Sequence, residues 1–178
     1  MRERLIELLK EKSVITGVER ILTSGRKSSY YIDCKMTTLD PEGANLVGKL
    51  ILEALEPYQV DAIGGFTLGA DPIVSAVATV SYQLGKPLPA FIVRKEPKKH
   101  GEQKMIEGPF ETGWKVAIVD DVCTTGGSIL KACKAVEEAG GKVILTMTIV
   151  DRLEGGRENI EKNGYKFISL LTKKDLGL

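Results

Sequence analysis

The sequence has few residues of the types that crosslink small folds or bind zinc. Its three cysteines, Cys34, Cys123 and Cys133, include no CxxC pair, so neither a disulfide framework nor a zinc pattern is indicated. Excess charge is lacking too, because 25 Lys and Arg residues balance 24 Asp and Glu residues, for a formal net charge of +1. Without a basic excess, the composition gives no support to nucleic-acid binding.

Long apolar runs are also missing from the sequence. The longest fall well short of the roughly 20 residues that a membrane helix needs, and the first residues mix acids and bases without the apolar core of a signal peptide. We therefore expect a cytoplasmic protein that does not bind membranes. A composition of 43% apolar and 28% charged residues over 178 positions is ordinary for one globular domain, which we take to span residues 1–178.

The first third of the chain predicts a helix, a hairpin and a second helix. Arg2 to Lys12 carries leucine and isoleucine on one helical face. Val18 to Lys35 places turn-forming residues between β-favouring ones and predicts a hairpin. Asp40-Pro41 is typical of a helix start, and that helix is expected to end near Leu55. Residues 1–35 are expected to fold over the rest as a small cap.

From Val60 onward, apolar β-rich runs alternate with helical segments, which predicts βαβ units and a parallel sheet in an α/β fold. The expected strands are Val60–Gly65, Pro89–Arg94, Trp114–Val119, Lys142–Val150 and Tyr165–Leu171. The expected helices are Pro72–Leu84, Ser128–Ala139 and Glu154–Asn163. Lys95 to Gly113 shows no clear period, and an aperiodic stretch this long is typical of a lid or binding loop.

The segment Val116–Ser128 carries the strongest chemical signal. Four apolar residues predict a buried strand, Asp120 and Asp121 follow at its expected carboxyl end, and Thr-Thr-Gly-Gly-Ser leads into a helix. Glycines and a helix N-terminus suit a phosphate. Acids beside a phosphate make sense if the ligand also offers hydroxyls, or if Mg²⁺ lies between carboxylate and phosphate. The segment has neither the Gly-Lys-Ser/Thr of a P-loop nor the dinucleotide fingerprint.

VAIVDDVCTTGGS resembles the signature with which type I phosphoribosyltransferases bind phosphoribosyl diphosphate (PRPP). The resemblance implies a central, mostly parallel twisted sheet flanked by helices, with residues 1–35 as part of a small N-terminal hood. It also implies a set of residues around the ribose 5-phosphate. These are Asp120, Asp121, Val122, Cys123, Thr124, Thr125, Gly126, Gly127 and Ser128. Cysteine is not required by the family at position 123, so we assign its thiol no chemistry.

Three further blocks resemble the orotate phosphoribosyltransferases: the hairpin Ser24–Tyr31, the loop Arg94–Gly101 and the pair Asp151-Arg152. The resemblance implies that the loop residues Arg94, Lys95, Lys98 and His100 contact PRPP, with the last three catalytic. It further implies that Thr124 and Arg152 contact orotate. An arginine suits this role, because a guanidinium can bind a carboxylate through two parallel hydrogen bonds.

The implied reaction joins orotate and PRPP to give orotidine 5′-monophosphate and diphosphate, with Mg²⁺ as cofactor. No residue is assigned as a direct metal ligand. Family membership further implies a homodimer whose active sites are shared between subunits. Two alternatives stay open: a phosphoribosyltransferase for another base, such as a purine, and a non-catalytic regulator that senses PRPP.

The chain departs from the family pattern at two places. Thr23 stands where some orotate enzymes have lysine, and the stretch Gly65–Asp71 stands where some have a Tyr-Lys pair. The family's side-chain contacts cannot be transferred there, so only backbone contacts to diphosphate are expected from Gly65–Asp71. An orotate-facing role for Tyr31 and ordinary strand packing are equally open.

Overall fold

The computed structural model describes residues 1–21, 27–96 and 104–178. Its helices are α1 (Arg2–Leu8), α2 (Lys35–Thr38), α3 (Pro41–Leu55), α4 (Asp71–Gln83), α5 (Gly127–Glu138) and α6 (Gly156–Lys162). Its strands are β1 (Val14–Ile21), β2 (Lys27–Ile32), β3 (Ala62–Phe66), β4 (Ala90–Val93), β5 (Ile106–Glu107), β6 (Lys115–Cys123), β7 (Lys142–Asp151) and β8 (Phe167–Thr172). None of the helices in these ranges is long and apolar enough to cross a membrane.

A six-stranded sheet forms the centre, with strand order β5-β4-β3-β6-β7-β8. Neighbouring strands run parallel throughout, except that β5 runs antiparallel to β4. The expectation of a mostly parallel sheet flanked by helices is therefore confirmed. Since β3, β6 and β7 are adjacent and parallel, the residues that follow them meet at one edge of the sheet, where such folds bind ligands.

Both faces of the sheet are buried, and the alternation of side chains along β6 shows why its sequence is continuously apolar. Ala117 and Val119 belong to the hydrophobic cluster that includes residues of α1, α3 and α4. Val116 and Ile118 belong to the cluster that includes residues of α5 and α6. Successive residues of a strand point to opposite faces, so a strand covered by helices on both sides needs apolar residues at every position.

The start of α3 confirms the prediction made from Asp40-Pro41. The Asp40 carboxylate accepts hydrogen bonds from the backbone N–H groups of Glu42 (3.0 Å) and Gly43 (3.1 Å). These are donors that a helix leaves unsatisfied at its first turn. Pro41 occupies the first helical turn, where a missing N–H costs nothing. The helix ends at Leu55, as expected.

The N-terminal region differs in detail from its prediction. The α-helix ends at Leu8, and a π-helical turn over Leu9–Ser13 leads directly into β1, which begins four residues before the expected Val18. Strands β1 and β2 pair as a separate antiparallel sheet. The turn residues Ser24, Gly25 and Arg26 lie outside the described residues. A hood formed by residues 1–35 stays a prediction.

Two strands differ from expectation in ways that matter for the site. β6 does not end at Val119 but runs on to Cys123, so Asp120 and Asp121 lie within the strand. β6 is longer than expected because its pairing with β7 continues as far as Cys123, which lies opposite Asp151. The stretch expected to lack structure contains β5, which pairs with the end of β4. Two residues are too short a run to show a period.

Candidate active site

β6 extends four residues beyond its last pairing with β3, and the site is built along this extension. The last pair that joins the two strands is Gly65 with Val119. Asp120 and Asp121 come next, while β3 leaves the sheet through the loop that leads to α4. The loop turns back toward the two carboxylates instead of running alongside them. A pocket edge is thus formed by one long strand beside one short strand.

Gly69 brings the backbone of this loop against both carboxylates. A Cβ atom placed on Gly69 would lie 2.7 Å from an Asp121 carboxylate oxygen and 2.9 Å from an Asp120 carboxylate oxygen. Both separations are shorter than real Cβ contacts allow. A side chain at this position would therefore displace the carboxylates or the loop, and the loop presents only its backbone to them.

The carboxylates of Asp120, which is buried, and Asp121, whose side chain is 15% exposed, both accept hydrogen bonds from the backbone of their own strand. Asp121 N–H donates to Asp120 Oδ1 at 2.9 Å, and Val122 N–H donates to Asp121 Oδ1 at 2.8 Å. Burial raises the pKa of both aspartates, and for Asp120 the neighbouring charge of Asp121 raises it further. Hydroxyl donors or a cation arriving here would offset the cost of two buried negative charges.

Lys35 is a cation at this site that the sequence did not single out. Its Nζ lies 2.8 Å from Asp33 Oδ1 and 3.8 Å from Asp121 Oδ2. Burial lowers the pKa of Lys35, but the hydrogen bond to Asp33 and the charge of Asp121 outweigh it and raise the pKa overall. Only the approach of α2 to β6 in the fold reveals this contact, since the two segments are far apart in sequence.

The turn Thr124–Gly126 follows β6 and leads into α5, which begins at Gly127. Gly126 has φ +79°, a conformation that glycine adopts without steric cost. The first N–H groups of α5 lack partners within the helix, so this terminus suits an anion. Ser128 is exposed at its first turn. Cys123 is buried, which raises the pKa of its thiol to about 12, in agreement with the lack of chemistry assigned to it.

Helix α6 packs against this turn, a contact that the sequence did not indicate. A Cβ atom on Gly156 would lie 2.4 Å from Cys123 Sγ and 2.9 Å from the Thr124 carbonyl oxygen. The Asn159 side-chain amide donates to the Thr125 carbonyl oxygen at 2.8 Å. This hydrogen bond holds the Thr125 carbonyl oxygen toward α6.

Asn159→Ala is expected to weaken binding of inorganic phosphate about threefold to tenfold. One lost hydrogen bond contributes about 0.5–1.5 kcal/mol, and the freed Thr125 carbonyl can turn its negative end toward the anion. Isothermal titration of the variant with phosphate measures the effect. Lys162→Ala is the control, since Lys162 is exposed in the last turn of the same helix. Equal phosphate affinity in the Asn159 and Lys162 variants would contradict the assigned role.

Arg152 lies beside the turn, at the end of the neighbouring strand. Its backbone N–H donates to the Cys123 carbonyl oxygen at 3.0 Å, which places it next to Thr124. Its side chain is only 4% exposed. The Nε and Nη2 atoms both lie 3.0 Å from Glu154 Oε1. The Tyr30 ring covers the guanidinium at 4.5 Å, and the Tyr30 hydroxyl donates to Glu154 Oε1 at 3.3 Å.

Glu154 and Tyr30 were both missed as site residues by sequence reasoning. Neighbouring residues of a strand point to opposite faces, and in β2 it is Tyr30 rather than Tyr31 that stacks on Arg152. An orotate-facing role for Tyr31 stays a prediction. The only signal for Glu154 was its position two residues after Arg152, which does not distinguish a partner from a surface acid.

Arg94 and Lys95 follow β4 and lie at the same edge of the sheet, on the side of β3 that is opposite to β6. Arg94 Nη1 lies 3.2 Å from Glu107 Oε1, and its Nε donates to the Glu96 carbonyl oxygen at 3.2 Å. Both basic residues line a cleft of about 540 Å³ with Thr67 of the β3–α4 loop. β4 and β6 flank β3, so their ends are about 10 Å apart. Lys98 and His100 lie outside the described residues.

Comparison with known proteins agrees with this geometry. Residues 40–172 match the family model of the phosphoribosyl transferase domain. The chain is similar to an orotate phosphoribosyltransferase of Aquifex aeolicus, with 49% identity over 177 residues, which cover 98% of this chain and 97% of that protein.

Two solved structures extend the comparison to the fold. The orotate phosphoribosyltransferase of Mycobacterium tuberculosis in complex with Fe(III) dicitrate superposes with a TM-score of 0.88 at 42% identity, covering 99% of both chains. The complex of the M. tuberculosis enzyme with PRPP superposes with a TM-score of 0.83 at 39% identity, again covering 99% of both chains. Matches over nearly the full length, in sequence and in fold, show that this chain belongs to the orotate phosphoribosyltransferase family.

Proposed function

We propose that this protein transfers the 5-phosphoribosyl group of PRPP to orotate, which forms orotidine 5′-monophosphate and diphosphate in pyrimidine biosynthesis. The observation that carries the proposal is the juxtaposition at the ends of β6 and β7. There, the buried carboxylate of Asp120, the largely buried carboxylate of Asp121 and a turn suited to phosphate lie beside a buried arginine, Arg152. Each feature matches one part of the two substrates: ribose hydroxyls, 5-phosphate and a planar carboxylate.

The donor would lie along β6. Its 5-phosphate binds at the start of α5, among Thr124, Thr125, Gly126, Gly127 and Ser128. Asp120 and Asp121 accept hydrogen bonds from the ribose hydroxyls, and the backbone at Gly69 faces the diphosphate. Arg94 and Lys95 approach from the far side of β3, and Lys98 and His100 of the same loop complete the cationic set.

Catalysis in this arrangement depends on position and charge, not on a covalent intermediate. Breaking the bond between C1 and diphosphate places positive charge on the ribose ring and negative charge on the leaving group. Lys95, Lys98 and His100 stabilise the departing diphosphate. Thr124 and Arg152 hold orotate so that its ring nitrogen faces C1. Neither aspartate is assigned as a nucleophile, because in this arrangement both accept hydrogen bonds from the ribose hydroxyls and would hold the hydrated ion.

Mg²⁺ fits the donor set of this site. No group of three or more potential ligands among His, Cys, Asp and Glu occurs in the described part of the chain. Mg²⁺ ordinarily takes one or two carboxylates together with waters and substrate phosphates, and the buried pair Asp120 and Asp121 supplies two carboxylates. These residues would hold the hydrated ion, which when bound neutralises the diphosphate. The pKa of each carboxyl is raised by burial, and a cation would counter that effect.

A homodimer in the cytoplasm is the assembly that we propose. Met36 (58% exposed), Leu39 (71%) and Leu68 (61%) expose large apolar side chains. Leu39 and Leu68 border a mainly apolar cleft of about 660 Å³ between α2, α3 and α4. Lys35, which reaches Asp121, lines the same cleft. A second subunit seated there would cover this apolar patch and would adjoin the active site, as shared sites require.

Turnover of orotate with PRPP and Mg²⁺, followed by the loss of orotate ultraviolet absorbance, tests the proposal. We expect turnover with orotate and none with adenine, hypoxanthine or uracil, because a neutral base offers no carboxylate to Arg152. Activity with a purine but none with orotate would identify a phosphoribosyltransferase for another base. PRPP binding without turnover of any base would identify a sensor.

A further inference from the structure

We propose that Glu154 is a positioning residue for the base, which fixes the guanidinium of Arg152 in the orientation that receives the orotate carboxylate. The inference rests on the proposed function and deepens it. It assigns a role to a carboxylate that lies beside the arginine and contacts no reacting atom. Three contacts carry the argument: two to the edge of the guanidinium and one to its face.

The edge of the guanidinium is fixed by Glu154. Nε and Nη2 of Arg152 lie on the same side of the planar group, and both lie 3.0 Å from Glu154 Oε1. One oxygen shared by two donors sets the rotation of the group within its own plane. Both side chains are mostly buried, at 4% and 17% exposed, so solvent screens the pair only weakly.

The face of the guanidinium is fixed by Tyr30. The ring lies 4.5 Å from Arg152 Cζ, and stacking of a guanidinium on an aromatic ring is favourable. The Tyr30 hydroxyl reaches the same Glu154 oxygen at 3.3 Å, which links the carboxylate to the ring. With an edge and a face both held, the plane and the direction of the guanidinium are determined.

The orientation matters because recognition of a carboxylate by arginine is directional. Two parallel hydrogen bonds form only when the carboxylate and the guanidinium share a plane. A ligand carboxylate that pairs with Arg152 without displacing Glu154 approaches the edge formed by the two terminal nitrogens. Glu154 therefore selects the edge as well as the plane, which constrains where the ring nitrogen of orotate lies.

An opposite effect has to be weighed, because Glu154 is itself an anion beside the subsite for an anionic base. If repulsion dominated, removing its charge would improve the use of orotate. Changing the length and the charge of the side chain at position 154 separately distinguishes orientation of Arg152 from repulsion of orotate. Glu154→Gln keeps the length and an acceptor oxygen but loses the charge, whereas Glu154→Asp keeps the charge but withdraws the oxygen by one methylene.

The experiment compares KM for orotate and KM for PRPP in Glu154→Gln, Glu154→Asp, Glu154→Ala and the parent protein. We expect KM for orotate to rise about tenfold in Glu154→Asp and at least as much in Glu154→Ala, since a misoriented guanidinium loses at least one of its two charged hydrogen bonds to the orotate carboxylate. Glu154→Gln should stay within threefold of the parent, and KM for PRPP within twofold in every variant. Glu158→Ala, which removes an exposed carboxylate from the first turn of α6, is the matched control.

Two results would overturn the inference. One is a parent-like or lowered KM for orotate in Glu154→Asp. The other is a Glu154→Gln variant as impaired as Glu154→Asp or more so, because charge and not orientation would then decide. The conservative Asp and Gln variants supply the answer even if the Ala variant fails to fold. Absence of orotate turnover in the parent itself would instead overturn the proposed function, and the inference with it.

Discussion

Gly69→Ala is expected to reduce turnover at least 100-fold while leaving the protein folded. The added methyl group would lie within 3 Å of one carboxylate oxygen of Asp121 and one of Asp120, so the loop, the carboxylates or both must shift. A displacement near 1 Å in a site that works by positioning costs about 100-fold in rate. Steady-state kinetics with PRPP and orotate measures the loss, and thermal unfolding shows that the fold is retained.

Gly85→Ala is the control for this prediction. Gly85 lies just after α4 with φ +73°, and a Cβ atom there would meet nothing within 4 Å. The substitution strains the backbone by about 1–2 kcal/mol without reaching any site residue. It should lower the free energy of unfolding and leave turnover unchanged, the reverse of Gly69→Ala. A Gly69→Ala variant with more than half of the parent activity would show that the loop does not need this close approach.

Arg152→Ala is expected to lower kcat/KM for orotate about 1000-fold and also to destabilise the protein. The first effect follows if Arg152 holds the orotate carboxylate as proposed, since a directional charged contact contributes about 4 kcal/mol to transition-state binding at most. The second follows because Glu154 loses its partner. Breaking a buried ion pair by removing one member costs about 3–5 kcal/mol. Kinetics and urea unfolding measure the two effects.

The double variant Arg152→Ala/Glu154→Ala separates the two effects of Arg152→Ala. Removing the stranded carboxylate should restore most of the lost stability, since no unpaired buried charge remains. It should not restore the use of orotate. Arg152→Lys keeps a charge but loses the planar fork, so we expect it to fall between the parent and Arg152→Ala. If the double variant recovered both stability and orotate turnover, Arg152 would not be the orotate ligand.

The sequence allowed the α/β fold to be predicted because its signals are local. Asp40-Pro41 marked the start of α3, and the apolar run from Val116 marked β6, since caps and periodicity act over a few residues. The predicted end of β6 was wrong because the length of this strand depends on its pairing with β7. Asp120 and Asp121 look like the start of a loop, yet pairing with β7 keeps them in the strand.

In the candidate site, too, features encoded by neighbouring residues could be predicted and contacts between distant segments could not. The turn Thr124–Ser128 was predictable, because one contiguous segment supplies the glycines, the hydroxyls and the helix start. Lys35 and Tyr30 were not recognised as site residues, because their contacts with Asp121 and Arg152 join segments far apart in sequence. No local pattern encodes a contact between distant segments. The long stretch after Arg94 was predicted as a loop, and β5 within it was missed because it is two residues long.

The contact between Tyr30 and Glu154 has a consequence for how the two halves of the site form. These residues are 124 positions apart, so the base subsite exists only after the chain has closed a long loop, with the entropic cost that closure carries. The phosphate turn is one contiguous segment between β6 and α5. In the proposed site, the residues that bind the 5-phosphate are therefore neighbours in sequence, whereas those that hold the base come from distant segments. We therefore expect substitutions in the hairpin β1–β2 to change which base is used without changing the binding of the 5-phosphate.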